Sequence, residues 1–210
     1  MKKQNKKAKG FTLIELLVVI SIIGILAGLT ITTIPTILKQ VHKFQTKMYM
    51  RELYKLFLMY SQDYNSYPTV SSDKDRFDKS DGVRGLYPLF STDLIKAKDL
   101  NKLFHPPGTK LIDFSSDPSI DEFDKDHIGY AYNSTAIPND EENPPLLSEQ
   151  GVSSGMLDIS KRRPRGTRSI RKNGVLVLFV DGTVDEIHAD RKGKLDTKRI
   201  SADMWGRLVD

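Results

Sequence analysis

The stretch KAKGFTLIELLVVISIIGILAGL, residues 7–29, limits how the rest of the chain can be built. Its lysines end at Lys9, a Gly10-Phe11 junction follows, and an apolar run continues to Leu38. Glu15 is the one charged side chain between Lys9 and Lys39. The run exceeds the roughly 7–15 residues of a signal-peptide core and has no A-x-A-like ending. It also exceeds the about 20 residues that a spanning helix requires. A bilayer-spanning helix is expected, and the basic flank favours a cytoplasmic N-terminus. Lys39, Lys43 and Lys47 beyond the far end weaken that bias.

A carboxylate within a bilayer is costly and marks a functional position by default. The plain alternative is that Glu15 reaches headgroup water at the interface. The sharper reading gives it a cation inside the membrane. A cut between Gly10 and Phe11 would create an amine about one helical turn before Glu15. In an array of staggered parallel helices, Glu15 of one chain would neutralise the amine of its neighbour, so that assembly relieves an uncompensated charge and sets register.

Composition narrows the rest. A chain of 210 residues holds one globular domain and an anchor. With no cysteine, a disulfide framework, a Cys-ligated metal and a thiol nucleophile are all excluded. The net charge of +5 is local: Lys2, Lys3, Lys6, Lys7 and Lys9 precede Phe11, and without them basic and acidic side chains number 27 each. The basic character therefore belongs to the leader and does not describe a nucleic-acid-binding face.

GFTLIELLVVISIIGILAG, residues 10–28, resembles the N-terminal signature of type IV pilins and type II secretion pseudopilins nearly residue for residue. The resemblance implies that a prepilin peptidase cuts after Gly10 and methylates the amine of Phe11. It also implies that Glu15 takes part in subunit docking. Gly24 and Gly28 form a G-x-x-x-G pair that allows close helix approach, against the alternative that glycine is simply common in membrane helices. Pro35 removes one helical hydrogen bond and should loosen the helix there.

Beyond Leu38 the helix is expected to continue. Val41, Phe44, Met48, Tyr49, Leu53, Leu56 and Tyr60 recur at three- and four-residue spacing. Lys39, Lys43, Lys47, Arg51 and Lys55 form a four-residue basic row, read as a solvated face with anionic lipid or an acidic neighbour as the alternative. Asn65, Ser66 and Pro68 should end the helix. Asp63, Asn65, Tyr67, Pro68 and Thr69 resemble the helix-closing turn of major pseudopilins, with Tyr64 inserted, and Gly85-Leu86 matches the Gly-Leu pair that follows.

The remainder reads as loops and short strands. STDLIKAKDLNKLF suggests a short helix capped by Ser91 or Thr92, and GYAYN (129–133) is strand-like. NGVLVLFVDGTVDEI (173–187) suggests a hairpin with Asp181-Gly182 in a type I′ turn, its first strand central and packed on the long helix. The fold class expected is α+β: a long N-terminal helix, membrane-spanning in its first half, packed against a small antiparallel sheet. The organisation expected is a leader at 1–10, a membrane and filament-core helix at 11–38, its amphipathic continuation at 39–66, and a pilin-like globular domain at 67–210.

Candidate chemistry is sparse. The segment from Asp113 to Glu142 carries nine acids and one lysine, Lys125. Within it Asp121, Asp124 and Asp126 could supply oxygens to calcium, and the resemblance to major pseudopilins favours that; an acidic surface loop is the plainer reading, since no EF-hand spacing is present. KRRPRGTR (161–168), with Arg171 and Lys172, lacks aromatic residues to stack on bases and reads as a subunit contact or solvated loop. Asp185, His188 and Asp190 are weak as metal ligands. No catalytic triad, zinc-binding H-E-x-x-H or phosphate-binding loop is present.

The chain is expected to be a structural subunit and not an enzyme, without cofactor unless the acidic loop takes calcium. Partners implied are the prepilin peptidase, copies of itself or other pilins, an inner-membrane assembly platform and lipid; nucleic acid is not expected. The globular domain is expected on the periplasmic or extracellular side of the inner membrane. The competing class is an uncleaved, membrane-anchored extracytoplasmic binding domain, with calcium among its ligands.

Overall fold

The computed structural model describes residues 11–70, 82–149, 152–153, 156–157, 174–188 and 195. The leader including Gly10, the 161–168 basic cluster with Arg171 and Lys172, and Asp190 lie outside the described residues. The chain divides into two compact units, Met1–Gln40 and Val41–Asp210. One helix, α1 (Leu13–Tyr64), contributes to both.

In the first unit α1 is apolar all round, and every side chain described from Phe11 to Gln40 is exposed. Three hydroxyls bond to carbonyls of their own helix. Ser21 donates to the Leu17 carbonyl at 2.8 Å, Thr30 to Leu26 at 2.7 Å and Thr33 to Leu29 at 3.0 Å. Polar groups satisfied within the helix are what an apolar surrounding demands. The helix continues through Pro35, because one missing hydrogen bond does not interrupt a helix with good formers on either side.

In the second unit α1 becomes two-faced. Thr46, Met50, Leu53, Phe57 and Tyr60 are buried, whereas Val41, Phe44, Met48 and Met59 are exposed. The helix ends at Tyr64, where Asn65 takes a positive φ of 54° and its N–H returns to the Ser61 carbonyl at 2.9 Å. Beyond residue 81 come a 3₁₀ turn (Gly82–Leu86), α2 (Tyr87–Ser91) and α3 (Ala97–Phe104). Ser91 and Thr92 close α2 and do not open α3, whose N-cap is Lys96; the Thr92 hydroxyl donates back to the Pro88 carbonyl at 2.7 Å. Pro88 in the first turn of α2 supplies a fixed φ and no donor, which suits a helix start.

The strands are β1 (Tyr130–Tyr132), β2 (Pro145–Glu149), β3 (Val152–Ser153), β4 (Met156–Leu157), β5 (Gly174–Phe179) and β6 (Val184–His188). Four form an antiparallel sheet ordered β1-β2-β5-β6, and β3 pairs with β4 separately. The α+β expectation holds. β5 is interior and buried along its whole length, so both of its faces are apolar. Leu147, Leu176, Leu178 and Val184 share the core with Met50, Leu53 and Phe57 of α1. The Phe57 ring stacks on Tyr132 with centroids 5.6 Å apart. Each fully buried large apolar side chain contributes about 1.5–3 kcal/mol.

The β5–β6 turn differs from expectation. Only Gly182 has positive φ (82°), the Gly182 N–H donates to the Phe179 carbonyl at 2.9 Å, and Phe179 N–H donates to Thr183 at 2.9 Å. This is a four-residue turn followed by a left-handed glycine bulge, not a type I′ turn. The Tyr54 ring of α1 packs on this turn: a Cβ at Gly182 would stand 2.4 Å from its Cε1, and its hydroxyl donates to the Val180 carbonyl at 2.9 Å.

Candidate functional site: the start of the long helix and its exposed surface

The start of α1 is built by Thr12 and Glu15. Thr12 precedes the first helical residue, Leu13, and Glu15 is the third residue inside. The Thr12 N–H donates to Glu15 Oε2 at 2.8 Å, and the Thr12 hydroxyl donates to the same oxygen at 2.7 Å. The Glu15 N–H faces Thr12 Oγ1 at 3.4 Å. This is a capping box, in which two side chains reciprocally satisfy donors that the helix start leaves open. The signal stood in the sequence as Thr-x-x-Glu ahead of an apolar run, and the sequence reading gave Thr12 no such role.

Phe11 lies outside the helix and is 73 % exposed. With Ile14, Val18 and Val19 it lines a shallow open groove beside Glu15. A Cβ added at Gly24 or Gly28 would meet nothing within 4 Å, so neither glycine is required by packing inside the chain. Among the described residues, α1 is the one helix long and apolar enough to cross a membrane, and none of its apolar window is buried in the protein.

In the folded unit the basic row does not stay on one face. Residues four apart drift about 40° around a helix of 3.6 residues per turn. Lys43 is consequently turned toward the sheet and pairs with Glu186 of β6, whereas Arg51 and Lys55 are exposed. Glu52 on the outer side lies 3.9 Å from Lys102 of α3.

The structure does not gather the three proposed calcium ligands. Asp124 Oδ1 accepts from the N–H groups of Asp126 at 2.9 Å and His127 at 3.1 Å, and lies 2.8 Å from His127 Nδ1. Burial raises the Asp124 pKa, but the His127 ring and the two N–H groups together hold it below the usual carboxylate range. Asp121 is exposed and 3.6 Å from Arg84. Among the described residues no three His, Asp or Glu side chains converge to hold an ion. Strand alternation sends Asp185 and His188 of β6 to opposite sides of the sheet, so they form no ligand pair.

Residues 5–31 match the family model described as the prokaryotic N-terminal methylation motif. Over 62 residues the chain is 44 % identical to the type IV wide pilus major component PilA4 of Thermus thermophilus, a match covering 30 % of this chain and 47 % of that protein. The N-terminal part of the chain is thus similar to that of type IV pilins. This pilin-like chain spans about half the length of the curated relative it matches. No solved structure matches it significantly. The matched motif contains both halves of the capping box, Thr12 and Glu15, together with Gly10, Phe11, Gly24 and Gly28. The matched motif thus lies at the start of the helix that is long and apolar enough to cross a membrane.

Proposed function

We propose that this chain is a structural subunit of a type II secretion pseudopilus or a type IV pilus-like filament. It is cut after Gly10 by a prepilin peptidase, methylated on Phe11, and assembled through its N-terminal helix on an inner-membrane platform. Before assembly it is a single-pass inner-membrane protein with a cytoplasmic N-terminus and its folded domain outside. It needs no cofactor and performs no catalysis.

The observation that carries this reading is the apolar half of α1, exposed on all sides. An apolar helix of that size has to be covered, by lipid before assembly and by neighbouring helices afterwards. The Thr12–Glu15 box supports the docking role. It keeps the Glu15 carboxylate hydrogen-bonded in the separate chain, and a neighbour's amine would take over one of those bonds on assembly. The Tyr67-Pro68-Thr69 turn with Gly85-Leu86 favours the pseudopilin type. The Gly85 position is explained by packing, since an added Cβ would stand 3.0 Å from the Tyr132 ring.

Mass spectrometry of the N-terminus of protein recovered from native membranes tests the proposal. A chain starting at N-methylated Phe11 is expected. An intact leader in cells with an active prepilin peptidase would overturn it and leave an ordinary anchored domain.

A further inference from the structure

The outer face of α1 carries Phe44 and Met48 at 64 and 51 % exposure, followed on the same side by the exposed cations Arg51 and Lys55. The core-facing residues Met50, Leu53 and Phe57 lie on the opposite side of the helix, so this face has no use in holding the domain together. Clustered apolar exposure rimmed by charge marks an interaction surface.

A complementary surface exists on the same folded unit. In the 112–126 lobe Ile112 and Ile120 stand 56 and 37 % exposed, and Asp113, Asp117, Asp121 and Asp126 are exposed in the same segment with one exposed cation, Lys125. The lobe is tied internally. Ile112 N–H donates to the Asp126 carbonyl at 2.9 Å, and the Ser115 N–H and hydroxyl each donate to Glu122 at 2.8 Å. Glu122 and Asp124 are occupied by such bonds, and the other four acids are exposed. Asp113 lies 3.7 Å from His105 and Asp121 lies 3.6 Å from Arg84, contacts long and wet enough to leave both carboxylates open to a second cation.

We propose that the outer face of α1 docks on the acidic lobe of a second copy of this chain. Phe44 and Met48 cover Ile112 and Ile120, and Arg51 and Lys55 meet the lobe carboxylates. Face-to-face pairing of two α1 surfaces would set Arg51 and Lys55 against their own copies, which like-charge repulsion opposes. Two different patches on one chain give a heterologous contact, which propagates as a ring or an open helical filament. The inference rests on the filament reading above and adds which surfaces of the folded domains bear on each other.

The chain has no cysteine, so single introduced cysteines report one contact each. Full-length chains carrying Met48→Cys and Ile120→Cys are co-expressed in cells competent for assembly, oxidised, and the sheared filament fraction is read for disulfide-linked dimers. Mixed dimers are expected, with few from Met48→Cys alone. Adding Arg51→Glu and Lys55→Glu to the first chain should lower their yield about tenfold, and Asp117→Arg with Asp121→Arg on the second should recover most of it, as for a charge swap across an interface. Filaments without mixed dimers would overturn this interface alone. Absence of both filaments and dimers would overturn the filament reading with it. Linkage of Met48→Cys only to a different protein, or its shielding only by anionic lipid vesicles, would overturn a second copy as the occupant.

Discussion

Substituting Gly182→Ala tests how the sheet is fixed to the outer helix. At φ 82° an alanine is in the left-handed region, which costs about 1–2 kcal/mol for a residue with a Cβ. The new Cβ would also stand 2.4 Å from Tyr54 Cε1 and 2.9 Å from Cδ1, so the ring must move. Overpacking of this kind costs about 1–3 kcal/mol. Moving the ring breaks the 2.9 Å bond from the Tyr54 hydroxyl to Val180, worth about 0.5–1.5 kcal/mol net. The expected total is about 3–5 kcal/mol, a large part of a typical domain's 5–15 kcal/mol. Urea unfolding of the full chain in detergent, followed by tyrosine near-UV dichroism, measures it. In the Tyr54→Ala background only the backbone strain should remain, so a double-mutant cycle should return a coupling of about 2 kcal/mol or more. Additive effects, or a Gly182→Ala cost below about 1 kcal/mol, would refute the argument that the Tyr54 ring and this glycine share one space.

Glu15→Ala should leave membrane insertion intact and cripple assembly; equal amounts of sheared filament from this variant would sink the docking role. Thr12→Ala removes the hydroxyl that donates to the Glu15 carboxylate and accepts from the Glu15 N–H, leaves the backbone N–H donor in place, and should reduce assembly less than Glu15→Ala does, because the acid itself remains; amide exchange in nanodiscs should show earlier opening of the first turn of α1. Lys43 and Glu186 form a partly buried pair, so Lys43→Ala should cost about 1–3 kcal/mol by urea unfolding, whereas the joint Lys43→Met, Glu186→Leu change should cost less. Burial pushes the His105 pKa below its usual 6.5, against the opposing pull of Asp113 and the carbonyls of His127 and Ile112. The unfolded chain therefore binds the proton more readily, and stability should fall as pH drops below 6.5. His105→Gln should flatten that part of the profile. A second loss should follow below 3.8, where the depressed Asp124 carboxylate is protonated, and His105→Gln should leave it in place.

Much of the architecture was legible in one dimension because its causes are local. Phe11 to Leu38 has no alternative to a helix covered by something apolar, and Asn65 can end α1 because asparagine tolerates positive φ. The uniform apolar run of β5 required burial on both faces, hence an interior strand. The misread elements share a different origin. Ser91 and Thr92 can cap a following helix or close a preceding one, and nothing in their neighbourhood chooses between these roles; packing of Leu89 and Ile95 into the core accompanies the second. Asp181-Gly182 suits two kinds of turn, and in the folded chain only Gly182 takes positive φ, beside a tyrosine more than a hundred residues earlier that bonds to Val180.

The sequence by itself determined the N-terminal chemistry of this protein. Thr12 and Glu15 are three residues apart, so helix geometry alone brings them together, and the lipid-compatible surface of α1 follows from composition. Tertiary structure decided the rest. It set the acids at 124 and 122 to accept hydrogen bonds from their own loop. It also split the basic row, pairing Lys43 with Glu186 and leaving Arg51 and Lys55 exposed. A four-residue spacing is not quite a helical turn, and only the position of the sheet determines which members of such a row meet a partner within the chain.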